Sequence, residues 1–308
     1  MERTELIGIE PIMDLVELTL WTAYVKYERT VSLLIIAKPE SGKTELLKKY
    51  RKNNGTISRR RFTAFGIIRD LKEGRVAVLF DRPKILGHIL IYDLRMLWGY
   101  KHNTVDSNMD FLDAITEEGL QPESSYAINP DDLKGYEGLK GGIIAGINPH
   151  GFFTPSGKRT IKRNLLKGGF FSRNVIASYN ISGSLLQKIF NSIVEGKYRR
   201  NKDFVNLIAI DFPSKRIKVR ISTKHMTELK DITEDVLAEL QEDLAEEYKG
   251  IRLLKSLVAL AKASALREGE TTVESEDIER IQFLSNWMNT KMRNLKSEYS
   301  FYKNGGFP

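Results

Sequence analysis

The sequence predicts an α/β fold in which a parallel sheet is flanked by helices, followed by a smaller all-helical unit. Three observations predict this. An apolar run, Val31 to Ile36, enters a tight loop, Ala37-Lys38-Pro39-Glu40-Ser41-Gly42-Lys43-Thr44, and leaves it as Glu45-Leu46-Leu47-Lys48-Lys49-Tyr50, in the order strand, loop, helix. Two later apolar runs stop at a polar residue: Ile85 to Tyr92 at Asp93, and Gly141 to Ile147 at Asn148. From Thr227 onward the apolar spacing is helical throughout.

The first element is a helix within Ile7 to Tyr27, with apolar Ile12, Val16, Leu18, Leu20, Trp21, Tyr24 and Val25. Preceding the loop as it does, it can pack over a nucleotide base or simply into the core. The loop has the form of a P-loop. Its backbone N–H groups are suited to phosphate, Lys43 to the β/γ oxygens and the Thr44 hydroxyl to Mg²⁺, with Pro39, Glu40, Ser41, Gly42 and Glu45 completing the binding stretch. Ala37 stands where the usual pattern has its first glycine. A basic turn follows, then Arg59-Arg60-Arg61, which reads better as a solvated face than as a nucleic-acid contact.

The run ending at Asp93, 50 residues after Lys43, has the form of a strand whose terminal carboxylate holds Mg²⁺ through water. Asp81, after Val76 to Phe80, is the rival, and Asp93 is preferred because the longer helical segment follows it. Asp110 to Gly119 reads as a helix closed by glycine. Asn148 can orient water against a γ-phosphate or merely cap a strand at an Asn-Pro turn. A basic stretch, Lys158 to Lys167, precedes Phe171-Ser172-Arg173 and the strand Val175 to Ile181. After a helix over Ser184 to Gly196, the runs Phe204–Ile210 and Ile217–Ile221, joined by Pro213-Ser214-Lys215-Arg216, predict a β-hairpin at about 204–221. Helical stripes follow at Ile232, Val236, Leu240 and Leu244, then at Leu253, Leu257, Leu260, Ala261 and Leu266, and a third helix opens near Val273 to Ile278. The boundary is therefore expected at 224/225, with an α/β unit over 1–224 and a helical unit over 225–308.

Composition narrows the function. There is no Cys and no close pair among four His, so thiolate and His-based metal sites are not expected. The absence of Cys and of a signal-like start fits a cytoplasmic protein, and no apolar run approaches the roughly 20 residues of a membrane span. A net charge of +8 over 308 residues favours a polyanionic partner such as DNA.

In their shared order these motifs resemble an AAA+ ATPase, and within that superfamily the minichromosome-maintenance group of replicative helicases. The resemblance rests on Ala37–Thr44 with the helix after it; on Ala114-Ile115-Thr116-Glu117-Glu118-Gly119-Leu120 and the turn-rich stretch to Leu139, similar to the presensor-1 β-hairpin; on Ala145 to Gly151, similar to the sensor-1 segment; on Phe171-Ser172-Arg173, similar to the arginine finger; and on Arg252 to Leu257 with the helices after it, similar to the sensor-2 arginine and lid. It implies a P-loop AAA+ core with a C-terminal helical lid, binding ATP and Mg²⁺, assembled as a hexamer or spiral and acting on DNA as a helicase or translocase. The implied catalytic set is Lys43, Asp93, Asn148, Arg173 reaching the adjacent subunit's ATP, and Arg252 coupling nucleotide state to the lid. The implied metal ligands are Thr44 and Asp93. Lys134 and Lys140 flank the implied hairpin as pore contacts to DNA. Leu94 stands where the group carries its water-activating Glu, with Glu40, Asp110, Glu117 and Glu118 as substitute carboxylates. That departure opens the alternative of a slow nucleotide switch such as a loader, transposition regulator or assembly factor. Without the accessory domains of the group's full-length members, the chain reads as the stripped module of a virus, plasmid or mobile element.

Overall fold

A computed structural model describes residues 6, 8–59, 63–94, 102–122, 126, 130–149, 169–195, 207–240 and 250–295. The apolar runs become the central strands. Ser32–Ala37 forms β1, buried along its whole length. Thr56–Arg59 forms β2, Phe80–Asp81 β3, Lys84–Ile91 β4, Lys140–Ile147 β5, Asn174–Ile181 β6 and Asn294–Leu295 β7. The seven-stranded sheet runs β2-β4-β5-β1-β6-β7 with every pairing parallel, and β3 folds back antiparallel on the start of β4. Strands buried on both faces need no polar alternation, which is why they appear as continuous apolar runs.

The helices are α1 (Glu10–Trp21), α2 (Lys43–Lys49), α3 (Ala64–Lys72), α4 (His102–Thr116), α5 (Gly183–Val194), α6 (Thr223–Ala238), α7 (Ile251–Arg267) and α8 (Ser275–Ser285). Several start at side-chain caps. Thr63, Ser182 and Ser222 accept from Gly66, Leu185 and His225 N–H, and Glu274 with Asp277 forms a capping box on α8. α7 packs on α1, α6 and α8 and touches β6, so the C-terminal helices share one apolar core with the sheet. The Arg267 and Arg280 side chains meet Asp14 of α1 across this contact. No helix among the described residues is long and apolar enough to cross a membrane.

Two expected hairpins are not formed among the described residues. Residues 207–221 do not pair with each other. Ile208 N–H donates to the Lys49 carbonyl and Ile210 N–H to Asn53 Oδ1, while Ile217 bridges Val25 and Arg220 bridges Thr272. Arg216 donates to the carbonyls of Val25 and Glu28, so the turn is drawn down onto the segment between α1 and β1. The segment is a strap, because its backbone groups find partners in other parts of the chain. Likewise 130–139 holds a 3-10 turn, Pro130–Leu133, and further turns but no strand. Hydrogen bonds between Leu120 and both Gly138 and Leu139 close it as a loop. Lys134 lies exposed in these turns and Lys140 is the exposed first residue of β5. The basic stretch 158–167, Arg60 and Arg61, and Phe204 to Asn206 lie outside the described residues.

Candidate nucleotide site and the arginine pair

β1 ends at Ala37 and the chain turns through 38–42 into α2. The turn uses two positive φ angles, 60° at Glu40 and 84° at Gly42; glycine adopts the latter without the steric cost other residues incur. Lys38, Pro39 and Glu40 form the exposed rim, Ser41 is buried beneath it, and Thr44 is exposed in the first turn of α2. Lys43 Nζ donates to the Ala37 carbonyl, to the Lys38 carbonyl at 2.6 Å and to Ser41 Oγ at 3.2 Å, which keeps the ammonium over the loop. Glu45 pairs with Lys48 at 2.9 Å. Leu6 and Ile9 come within 4 Å of where a Cβ on Gly42 would stand, so the entry to α1 borders the loop while the body of α1 is core.

The neighbouring parallel strands bring the next candidates to the same edge of the sheet. Ile147 is level with Ile36 and Ile91 with Ala145. Continued by one and two residues, this register sets Asn148 level with Ala37 and Asp93 level with Ile147. With strands about 4.8 Å apart, Asp93 is on the order of 10 Å from the loop strand. Asn148 is buried and Asp93 half-buried. Asp81 lies instead at the end of β3, paired with Lys84 at the start of β4, at the opposite edge. Leu94 is fully buried.

Two residues that sequence reasoning missed shape this edge. A Cβ on Gly146 would stand 2.9 Å from the Tyr92 carbonyl oxygen and 3.7 Å from Lys43 Cβ, so only glycine lets β5 pass between the Asp93 loop and Lys43. Tyr179 of β6, whose phenol burial pushes well above its ordinary pKa, donates to the Ser41 carbonyl at 2.9 Å and anchors the loop. A glycine inside an apolar strand was the available signal for the first; the second had none.

Arg173 and Arg252 are elsewhere. Arg173 ends the 3-10 turn Phe171–Arg173 just before β6, and Asn174 is level with Ser32, whereas Tyr179 is level with Ala37. That leaves about 17 Å of strand between Arg173 and the P-loop edge, beyond the reach of its side chain. Arg252 opens α7 beside it. Arg173 Nε donates to Glu117 Oε2 at 2.7 Å and Nη1 to Asp113 Oδ1 at 3.1 Å. Arg252 Nη2 donates to both Glu117 oxygens at 2.7 and 2.9 Å, and Nη1 to Ser172 Oγ at 2.7 Å. Burial pushes the Asp113 carboxyl up to about 6 against the pull of Arg173. Burial also opposes ionisation of Glu117, but the hydrogen bond and charge of Arg173, with those of Arg252, outweigh it and hold that carboxyl below its usual value. Asp110, Glu118, Gln121 and Tyr126 line the same cavity, of about 330 Å³. Of the substitute carboxylates, Asp110, Glu117 and Glu118 thus lie with Arg173, far from the loop over 38–42.

No protein-family profile matches the chain, and a search of curated proteins returns no significant match.

Proposed function

We propose that the chain is an ATP-binding AAA+-type ATPase that works as a ring or spiral of copies on DNA. One observation supports this reading: β1 turns tightly through 38–42 into α2, with Asn148 directly after the adjacent parallel strand β5 and Asp93 two residues past the next strand, β4, at the same edge. Ligands of open parallel sheets sit at that carboxyl edge. Lys43 binds the β/γ-phosphates. Thr44 and Asp93 would hold Mg²⁺, which supplies neutralising charge on the phosphate oxygens. Both are oxygen donors, and Mg²⁺ in such sites takes its remaining ligands from phosphate and water. Asn148 orients water at the γ-phosphate. Arg173 and Arg252, on the other edge, serve the site of an adjacent copy, so Arg252 is assigned to the neighbour's nucleotide rather than to its own. Lys134 and Lys140 are the proposed contacts to DNA phosphates, supported by the net charge of +8.

Buried Leu94 favours a second reading, a slow-hydrolysing switch such as a loader, transposition regulator or assembly factor, because the position after Asp93 supplies no carboxylate. The test is titration with a fluorescent ATP analogue and turnover with and without DNA, for wild type and Lys43→Ala. At least a tenfold loss of affinity in the variant is expected; unchanged affinity removes the site assignment. DNA-stimulated turnover supports the motor, and near-zero turnover with ATP-dependent assembly supports the switch.

A further inference from the structure

Three separate segments converge at the amino edge of the sheet: the end of α4, the turn before β6 and the start of α7. Two guanidiniums meet there, and like charges at such range repel. Glu117 resolves the conflict. Its Oε2 accepts from Arg173 Nε at 2.7 Å and from Arg252 Nη2 at 2.9 Å, while Oε1 takes the same Arg252 nitrogen at 2.7 Å. Arg252 is held again through Ser172 Oγ, the neighbour of Arg173 in sequence, and its carbonyl accepts from Arg29 at 3.1 Å.

Glu117 itself is closely tethered. It follows the last residue of α4, and at Gly119 (φ 92°) the backbone passes so near Gly138 that a Cβ would stand 2.7 Å away. Asp113, one turn earlier on α4, accepts from Arg173 Nη1 at 3.1 Å. Two guanidiniums facing two carboxylates bring the cluster near charge balance, and three chain segments fix the planes of both arginines.

We propose that Glu117 is a positioning residue that yokes Arg173 and Arg252 into one two-guanidinium unit offered to the triphosphate of a neighbouring copy of this chain. The proposal rests on the ATPase reading above. Glu117 touches no phosphate; it sets the spacing and orientation of the groups that do. Its substitution therefore damages the site of the next protomer and leaves its own P-loop intact.

The experiment mixes subunits and reads single-turnover ATP hydrolysis, which registers slow chemistry as well as fast. Glu117→Ala alone is expected to bind ATP within twofold of wild type and to hydrolyse it at least tenfold more slowly. Lys43→Ala alone is expected to be inactive. In a one-to-one mixture the Lys43→Ala copies supply intact arginine pairs to the intact P-loops of Glu117→Ala copies, so hydrolysis returns to about a quarter of the wild-type level, from random neighbours. A mixture that stays inactive while Glu117→Ala still binds ATP and assembles overturns the proposal. Should the alanine variant fold poorly, Glu117→Gln, which keeps the shape and one acceptor oxygen without the charge, must give the same recovery in mixture. Wild type that neither binds nor hydrolyses ATP overturns the ATPase reading itself, and the control distinguishes that result.

Discussion

Leu94 shows how one side chain constrains the chemistry. It directly follows Asp93 yet is fully buried, so the backbone that brings Asp93 to the sheet edge turns the next side chain into the core. Leu94→Glu is therefore expected to lower stability by about 3 kcal/mol, the order of an unpaired buried acid, without raising turnover. Thermal unfolding and hydrolysis rates check this; a stable variant with tenfold faster turnover would mean that position 94 faces the proposed nucleotide site. The candidate residues legible in the sequence were those in contiguous motifs, Ala37 to Thr44 above all, because loop chemistry is local. Asp93 and Asn148 were legible as strand ends. The Glu117 bridge was not, because it joins residues 56 and 135 positions apart and no local pattern records such a contact.

At the scale of elements, α1 is tied to α7 and α8 by charge as well as by apolar packing. Asp14 accepts from Arg267, and Arg280 Nε lies 4.0 Å from its other oxygen, with Glu268 reaching both arginines at 3.3 Å. Asp14 is 8% exposed. Asp14→Ala leaves the buried Arg280 and the part-buried Arg267 short of a counter-charge and is expected to cost about 3 kcal/mol, measurable by urea unfolding. A loss below about 0.5 kcal/mol would place the ion cluster in the class of exposed pairs. Helices and core strands were legible because their periodicity reports burial on one face or two. The 207–221 strap was misread for the same reason. Its apolar run Leu207–Ile210 and its alternating stretch Ile217–Ile221 both read as strands, but what an extended segment pairs with is decided by distant backbone groups, here those of Tyr24, Lys49 and Thr271.

For the whole molecule, the strand order that assembles the site was not legible, since β5 enters between β1 and β4 only after a long excursion of chain. That order buries His88 of β4 completely, with Nε2 donating to the Val31 carbonyl at 3.1 Å. Burial pushes its pKa down to about 4, against the opposing pull of that bond. The unfolded chain then binds the extra proton first, so this contribution to stability is whole above about pH 6.5 and is lost as pH falls toward 4, about 3 kcal/mol in all. Asp113, raised to about 6, has the opposite slope across much of the same window, because its folded form holds the proton. The wild-type curve alone therefore conceals the effect. The stability difference between wild type and His88→Gln should shrink by about 3 kcal/mol from pH 7 to pH 4, and a constant difference would show that His88 titrates normally.

The pairing of β7 with β6 also bears on how the chain is made. Trp287 and Arg293 carbonyls accept from Ser178 and Asn180 N–H, and Asn294 sits beside Asn180. During synthesis, that flank of β6 stays open until residue 295 has left the ribosome. At about 5–20 residues per second the interval is on the order of ten seconds, during which β6, the strand beside β1, presents bare amides to any other nascent chain.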